Sequence, residues 1–281
     1  MRLIHSTSDL KEHLAAERSK GLSIGTVLTM GALHEGHISL VKRSIEETDL
    51  TIVSIFVNPK QFNDPADHDL YPRQLEKDIG SLKGLGKIVV FAPEYNEVFS
   101  NEEDVVVDLG ELDRTMEGSS RPGHFDGVVQ VVYRFFNIIK PDVAYFGEKD
   151  RQQLLVIKKM VAALNVPVRI QPCPTVRSKE GLALSSRNAL LNEEEKQRAL
   201  LLYRSLSYAA DNAYAAQPED IINKVQEDFS LNTAVELEYF KLIDQDTFQE
   251  IKDWNGTENV VAFIAARIGA VRTIDNVFLK K

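Results

Sequence analysis

Between Ile24 and Ile45 the hydrophobic pattern of the chain changes abruptly. Ile24 to Met30 is a short apolar run that reads as a strand, Gly25 to Met30 forming its body. Ile38, Val41 and Ile45 then repeat at helical spacing. Between them lies Gly31-Ala32-Leu33-His34-Glu35-Gly36-His37. Strand, tight glycine turn and amphipathic helix in that order admit few folds, because the strand needs a sheet and the helix must bury its stripe against it. The first backbone N–H groups of such a helix have no intrahelical partner, so the turn suits an anion such as phosphate. His34 and His37 add donors that can follow charge as it develops.

The alternation continues to about residue 175. Thr51 to Val57 and Lys87 to Ala92 read as buried strands, and Val105 to Leu109 is a candidate fourth. Pro72 is placed to open a helix that runs to about Leu82. Gly127 to Ile139 has the length of a buried helix and is followed by Lys140-Pro141. Asp142 to Phe146 is a short strand, Lys149 to Leu164 an amphipathic helix, and Val166 to Gln171 another strand. After Pro172-Cys173-Pro174 the texture changes. Helices over about Glu193–Asp211 and Pro218–Phe229 precede two strand-like runs, Val235–Ile243 and Val260–Ile268. The expectation is an α/β protein. A Rossmann-like parallel sheet occupies 1–175, and a smaller α+β domain occupies 176–281. Ligands of such sheets bind beyond the carboxyl ends of the strands.

Composition narrows the function classes. In 281 residues, 33 basic against 42 acidic side chains give a net charge of −9, which argues against holding a long nucleic acid by its phosphates. Cys173 is the only cysteine, so neither an intrachain disulfide nor a thiolate metal cluster is available. The first residues lack the apolar core of a signal peptide, and no run is long enough to span a membrane. A cytoplasmic enzyme or binding protein is expected, with no nucleic acid and no membrane as partner.

Four further segments carry chemistry. Asn58-Pro59-Lys60-Gln61-Phe62 follows the second strand, and its two amides can each donate and accept, which suits a hydroxy acid. Gly147-Glu148-Lys149-Asp150 follows a strand and opens a helix that carries Gln153; Lys149 offers a point charge to a phosphate. Val176-Arg177-Ser178 with Leu182-Ala183-Leu184-Ser185-Ser186-Arg187-Asn188 places two hydroxyls before an arginine, a set suited to polyphosphate. Ser120-Arg121-Pro122-Gly123-His124 is a turn bearing another guanidinium. A zinc site at His34 and His37 is disfavoured, because the histidines stand three apart across Gly36 rather than four apart on one helix face.

In chain order, TMGALHEGH (29–37), FVNPKQF (56–62), YPRQLEKD (71–78), SRPGHF (120–125), FGEKDRQQL (146–154) and GLALSSRN (181–188) resemble the pantoate–β-alanine ligase family. That family sits within the nucleotidyltransferases that carry a His-x-Gly-His signature. Lys60 departs from the apolar residue usual there, and Lys179-Glu180 falls in a variable loop. The resemblance implies two steps. Pantoate attacks the α-phosphate of ATP to give pantoyl adenylate and pyrophosphate; β-alanine then attacks the acyl carbon and releases AMP.

The resemblance also implies residue roles. His34, His37, Lys149 and Arg187 would be catalytic. Met30, Gly31, Ala32, Leu33, Glu35, Gly36, Gly147, Glu148, Asp150, Val176, Leu184, Ser185 and Ser186 would line ATP together with those four. Gln61, Gln153, Asn58 and Arg121 would hold pantoate or β-alanine. Asp78 would approach a Mg2+ ion, a homodimer is implied, and the C-terminal domain would close over ATP. The rivals are another adenylyl- or cytidylyltransferase, which would lack the paired amides, and a nucleotide sensor without turnover.

Overall fold

The computed structural model describes residues 1–62, 68–69, 71–99 and 103–281. The chain divides into two compact units, Met1–Pro174 and Thr175–Lys281.

The first unit is built on six parallel strands: β1 (Arg2–Ile4), β2 (Ile24–Thr29), β3 (Leu50–Ile55), β4 (Ile88–Phe91), β5 (Val143–Gly147) and β6 (Arg169–Cys173). Their spatial order is β1-β4-β3-β2-β5-β6. Helices α1 (Thr7–Arg18), α2 (Glu35–Glu47), α3 (Leu75–Leu82), α4 (His124–Ile139) and α5 (Arg151–Ala163) connect them, with single helical turns at Tyr95–Val98, Glu111–Arg114 and Glu117–Ser120. From β2 the chain passes outward to β3 and β4, whereas β5 and β6 build on the other side. The order of winding therefore reverses between β2 and β5, where sheets of this kind open a crevice at the strands' carboxyl ends. The turn after β2 and the turn after β5 both reach that crevice.

The α/β architecture matches the sequence expectation, and the differences from it are local. Val105–Leu109 forms no strand. A side chain takes the place of a neighbouring strand: Gln130 Nε2 donates to the Val105 carbonyl (2.6 Å), and its Oε1 accepts the Val105 N–H (3.0 Å). Helix α3 starts at Leu75, not Pro72, because Gln74 is non-helical and the Arg73 guanidinium folds the preceding backbone around itself through the carbonyls of His68, Asp69 and Tyr71. Strand β6 lies later than Val166–Gln171 and includes Pro172, which an edge strand tolerates on its open side. Strand β1 and helix α1 carry patterns too short or too polar to read.

In the second unit, α6 (Glu193–Asn212) and α7 (Pro218–Ser230) pack on an antiparallel sheet of β7 (Val235–Asp244), β8 (Val260–Ile268) and β9 (Val271–Leu279). Asn192 and Glu195 close α6 with a reciprocal capping box. Strand β9 is absent from the sequence expectation because Arg272, Asp275 and Asn276 break its alternation. No described helix is long and apolar enough to cross a membrane.

Candidate active site

The turn after β2 is shaped by one carboxylate. Asp78, on α3 and 1% exposed, accepts the N–H of Ala32 (3.0 Å) and of Leu33 (2.8 Å), one on each oxygen. The turn needs that support, since Gly31 and Ala32 both take positive φ, 83° and 50°. Expected as a magnesium ligand, Asp78 is instead committed to the backbone. Among the described residues no three His, Cys, Asp or Glu side chains gather as a metal site. Among the described residues the donor set thus does not fit a metal held by protein ligands alone.

Helix α2 then begins with two histidines in the places that Ser and Glu fill in an ordinary capping box. His34 is the N-cap, and its Nδ1 accepts the Gly36 N–H (3.1 Å); His37 Nδ1 accepts the His34 N–H (3.4 Å). The ring centroids stand 4.2 Å apart. A backbone N–H can only donate, so each Nδ1 is an acceptor and each neutral ring carries its proton on Nε2. Burial, and then repulsion from His34, push the His37 pKa down to about 3. Burial and then the Lys149 charge lower that of His34. At neutral pH the pair is therefore two uncharged N–H donors. Gly36 allows this: a Cβ there would sit 2.7 Å from Cε1 of the His34 ring.

Lys149 and Asp150 follow β5 in a 3-10 turn, Glu148–Asp150, close enough to both histidines to bias their protonation. Lys149 Nζ meets Asp150 Oδ1 at 3.3 Å, and Arg151 pairs with Glu148 at 3.4 Å. Two adjacent glutamines on α5 have opposite fates. Gln152, 3% exposed, donates to the carbonyls of Leu112 (2.8 Å) and Thr115 (2.9 Å) and accepts the Glu117 N–H (3.2 Å). Half-buried Gln153 has no hydrogen-bond partner for its carboxamide among the described residues.

Gln61 ends a 3-10 turn, Pro59–Gln61, and its Nε2 points at the Met30 sulfur, which brings it to the histidine turn. Asn58 does not present its amide to a ligand. Its Oδ1 accepts the Lys60 N–H (3.2 Å), while Nδ2 donates to the Gly127 carbonyl (3.0 Å) and Gln61 Oε1 (3.3 Å). Arg121 Nη2 reaches the Gln61 carbonyl (3.4 Å), and its Nη1 reaches His124 (3.1 Å). Sequence reasoning misses Gln152 and His124 as organisers. The first looks like its neighbour, and the second sits in a motif whose guanidinium is the more conspicuous group.

In the second unit, Val176 to Leu184 forms a tight hairpin: Leu184 N–H donates to Val176 O (2.9 Å) and Ser178 N–H to Leu182 O (2.8 Å). Arg177, in the same hairpin, forks onto Asp275, with 2.5 and 2.9 Å contacts. Ser185 caps the next 3-10 turn by accepting the Arg187 N–H (3.3 Å). The half-buried Arg187 guanidinium has no ion pair among the described residues. Cys173 is buried and its thiol is pushed up to about 11, chiefly by burial, so it is no nucleophile.

The model of the family described as pantoate-beta-alanine ligase matches residues 2–278. Pantothenate synthetase of Bacteroides fragilis is 42% identical over 281 residues, covering all of both chains. That of Porphyromonas gingivalis is 43% identical over 277 residues, 99% of each. Among solved structures, pantothenate synthetase from Thermus thermophilus superposes with a TM-score of 0.93 at 36% identity, covering all of both chains. Pantoate-beta-alanine ligase from Francisella tularensis, complexed with beta-gamma ATP and beta-alanine, gives a TM-score of 0.80 at 36% identity, covering 99% of this chain and 97% of that one.

Proposed function

Because the chain belongs to the pantoate–β-alanine ligase family and makes pantothenate from ATP, pantoate and β-alanine, we propose that the β2–α2 turn is where its adenylyl transfer takes place. The observation that carries this reading is the histidine capping box. It leaves two neutral Nε2–H donors at a helix N-terminus, at the point where the sheet reverses its winding.

A pantoate carboxylate oxygen attacks the α-phosphorus; the bond to the bridging oxygen breaks and pyrophosphate leaves with its electron pair. Charge gathers on the α-phosphate oxygens during that step. Donors already in place and uncharged stabilise it without first losing a proton. His37 thus acts by hydrogen bonding, not as an imidazolium acid. Lys149 adds a point charge beside the pair. The β-alanine amine then attacks the acyl carbon of the adenylate and AMP departs. Catalysis rests on position and charge, with no covalent enzyme intermediate.

Gln61 and Gln153 are read as the pantoate contacts, with Asn58 and Arg121 holding Gln61 in place. Ser185, Ser186 and Arg187 are read as phosphate ligands; the Arg187 guanidinium, without an ion pair among the described residues, supports that role. Any magnesium would be held by nucleotide phosphate oxygens and water rather than by a cluster of protein ligands, and no step is assigned to it. The homodimer belongs to the same reading and is tested by the mass of the protein in solution. Pantoate-dependent exchange between pyrophosphate and ATP tests the chemistry. Exchange without pantoate, or none with it, overturns the reading.

A further inference from the structure

Gln61 stands at the end of a three-residue 3-10 turn, which has almost no hydrogen-bond ladder of its own. Its position is set from outside, by the first turn of α4. The backbones approach so closely that a Cβ on Gly127 would lie 2.2 Å from the Lys60 carbonyl oxygen. Asn58 ties the turn to the Gly127 carbonyl. Two further ties converge on the Gln61 carbonyl: a long one from Arg121 Nη2 at 3.4 Å, and a short one from His124, at the first position of α4 and 6% exposed. Its Nδ1 lies 2.8 Å from the main-chain carbonyl of Gln61, and its Nε2 lies 3.1 Å from Arg121 Nη1.

Both partners dictate the same tautomer. A carbonyl only accepts, so Nδ1 must bear the proton. A guanidinium only donates, so Nε2 must carry none. This is the reverse of His34 and His37, whose Nδ1 atoms accept. Arg121, His124 and Gln61 therefore form one directed chain of hydrogen bonds ending on the carbonyl of the residue read as a pantoate contact.

We propose that His124 is a positioning residue for Gln61: its Nδ1–H donor, oriented by Arg121, holds the Gln61 carbonyl and thereby fixes where the Gln61 carboxamide meets pantoate. The proposal rests on the reading of Gln61 as a pantoate contact.

The test compares His124→Asn, which keeps a donor near the place of Nδ1, with His124→Gln, which moves the donor to the depth of Nε2. Pantoate and ATP KM are measured for both, for Gln61→Ala, and for Gln61→Ala combined with His124→Gln. Expected are a pantoate KM near that of the parent for His124→Asn and about tenfold higher for His124→Gln, the scale of one lost hydrogen bond. ATP KM stays unchanged in both. In the Gln61→Ala background, His124→Gln has no further effect, because it acts through Gln61. Equal effects of the Asn and Gln variants, or additive effects in the double variant, overturn the proposal. An unchanged pantoate KM in Gln61→Ala overturns the reading of Gln61 itself. Independently of variants and their folding, the long-range proton–nitrogen correlation spectrum of the parent enzyme is expected to show His124 protonated on Nδ1. Protonation on Nε2 overturns the proposal.

Discussion

His34 and His37 cap one helix with the same ring nitrogen. Nδ1 of His34 takes the Gly36 N–H, and Nδ1 of His37 takes the N–H of His34 itself. A proton placed on either Nδ1 would face a backbone donor, so protonation breaks the cap that presents the site.

This sets the pH dependence. The His37 pKa is lowered from 6.5 to about 3, and that of His34 is lowered as well. Between those values the unfolded chain binds protons that the folded chain refuses, so stability rises with pH there. The contribution is complete above pH 6.5 and is lost as pH falls toward 3. Adenylate formation should therefore show no titration near 6.5, while the thermal midpoint declines steadily below it. A rate profile with a midpoint near 6.5 refutes the neutral pair.

The two histidines should separate on substitution. His37→Ala removes one donor from the developing charge and should slow pyrophosphate–ATP exchange by on the order of 10²–10³-fold, with only a small fall in melting temperature, because the cap bond it accepts from His34 N–H is the longer one at 3.4 Å. His34→Ala also removes the N-cap acceptor and should lower stability by about 1 kcal/mol in addition. Equal stability of the two variants counts against the cap assignment.

Much of this site was legible in the sequence because its donors sit where strands end, and strand ends are marked by glycine and by a change of period. The β2–α2 turn and the place of Lys149 after β5 follow from that, whereas the reversal of winding needs the strand order. Less legible were the residues that shape the site from behind. Gln152 and Gln153 are the same residue type in adjacent positions, and only helix geometry sends one inward to Leu112 and Thr115. Asp78 looks like a metal ligand in a sequence; its two backbone donors come from 45 and 46 residues away. Val105–Leu109 reads as a strand until Gln130 supplies the hydrogen bonds a strand would have offered.

Asp78→Asn puts that reassignment to the test. The amide keeps one acceptor but turns an N–H toward Ala32 or Leu33, leaving a buried donor without a partner at a cost of about 1–3 kcal/mol. The melting temperature should fall and ATP KM should rise as the turn relaxes. The magnesium concentration for half-maximal rate should stay where it is in the parent. A large increase in that concentration would make Asp78 a metal ligand after all.

Gln153→Ala isolates the amide that no hydrogen bond from the described residues engages. Gln152, one residue before it, has its three hydrogen bonds to residues 112–117, whereas the Gln153 carboxamide has no hydrogen-bond partner among the described residues. Gln153→Ala should therefore leave the stability within about 0.5 kcal/mol of the parent, as for a substitution with no structural partner, and raise pantoate KM more than ATP KM. Gln152→Ala should do the opposite: it removes three hydrogen bonds made by a buried side chain and lowers stability by several times as much. If the two variants melt alike, or if Gln153→Ala shifts ATP and pantoate equally, the division of labour between the neighbouring glutamines is refuted.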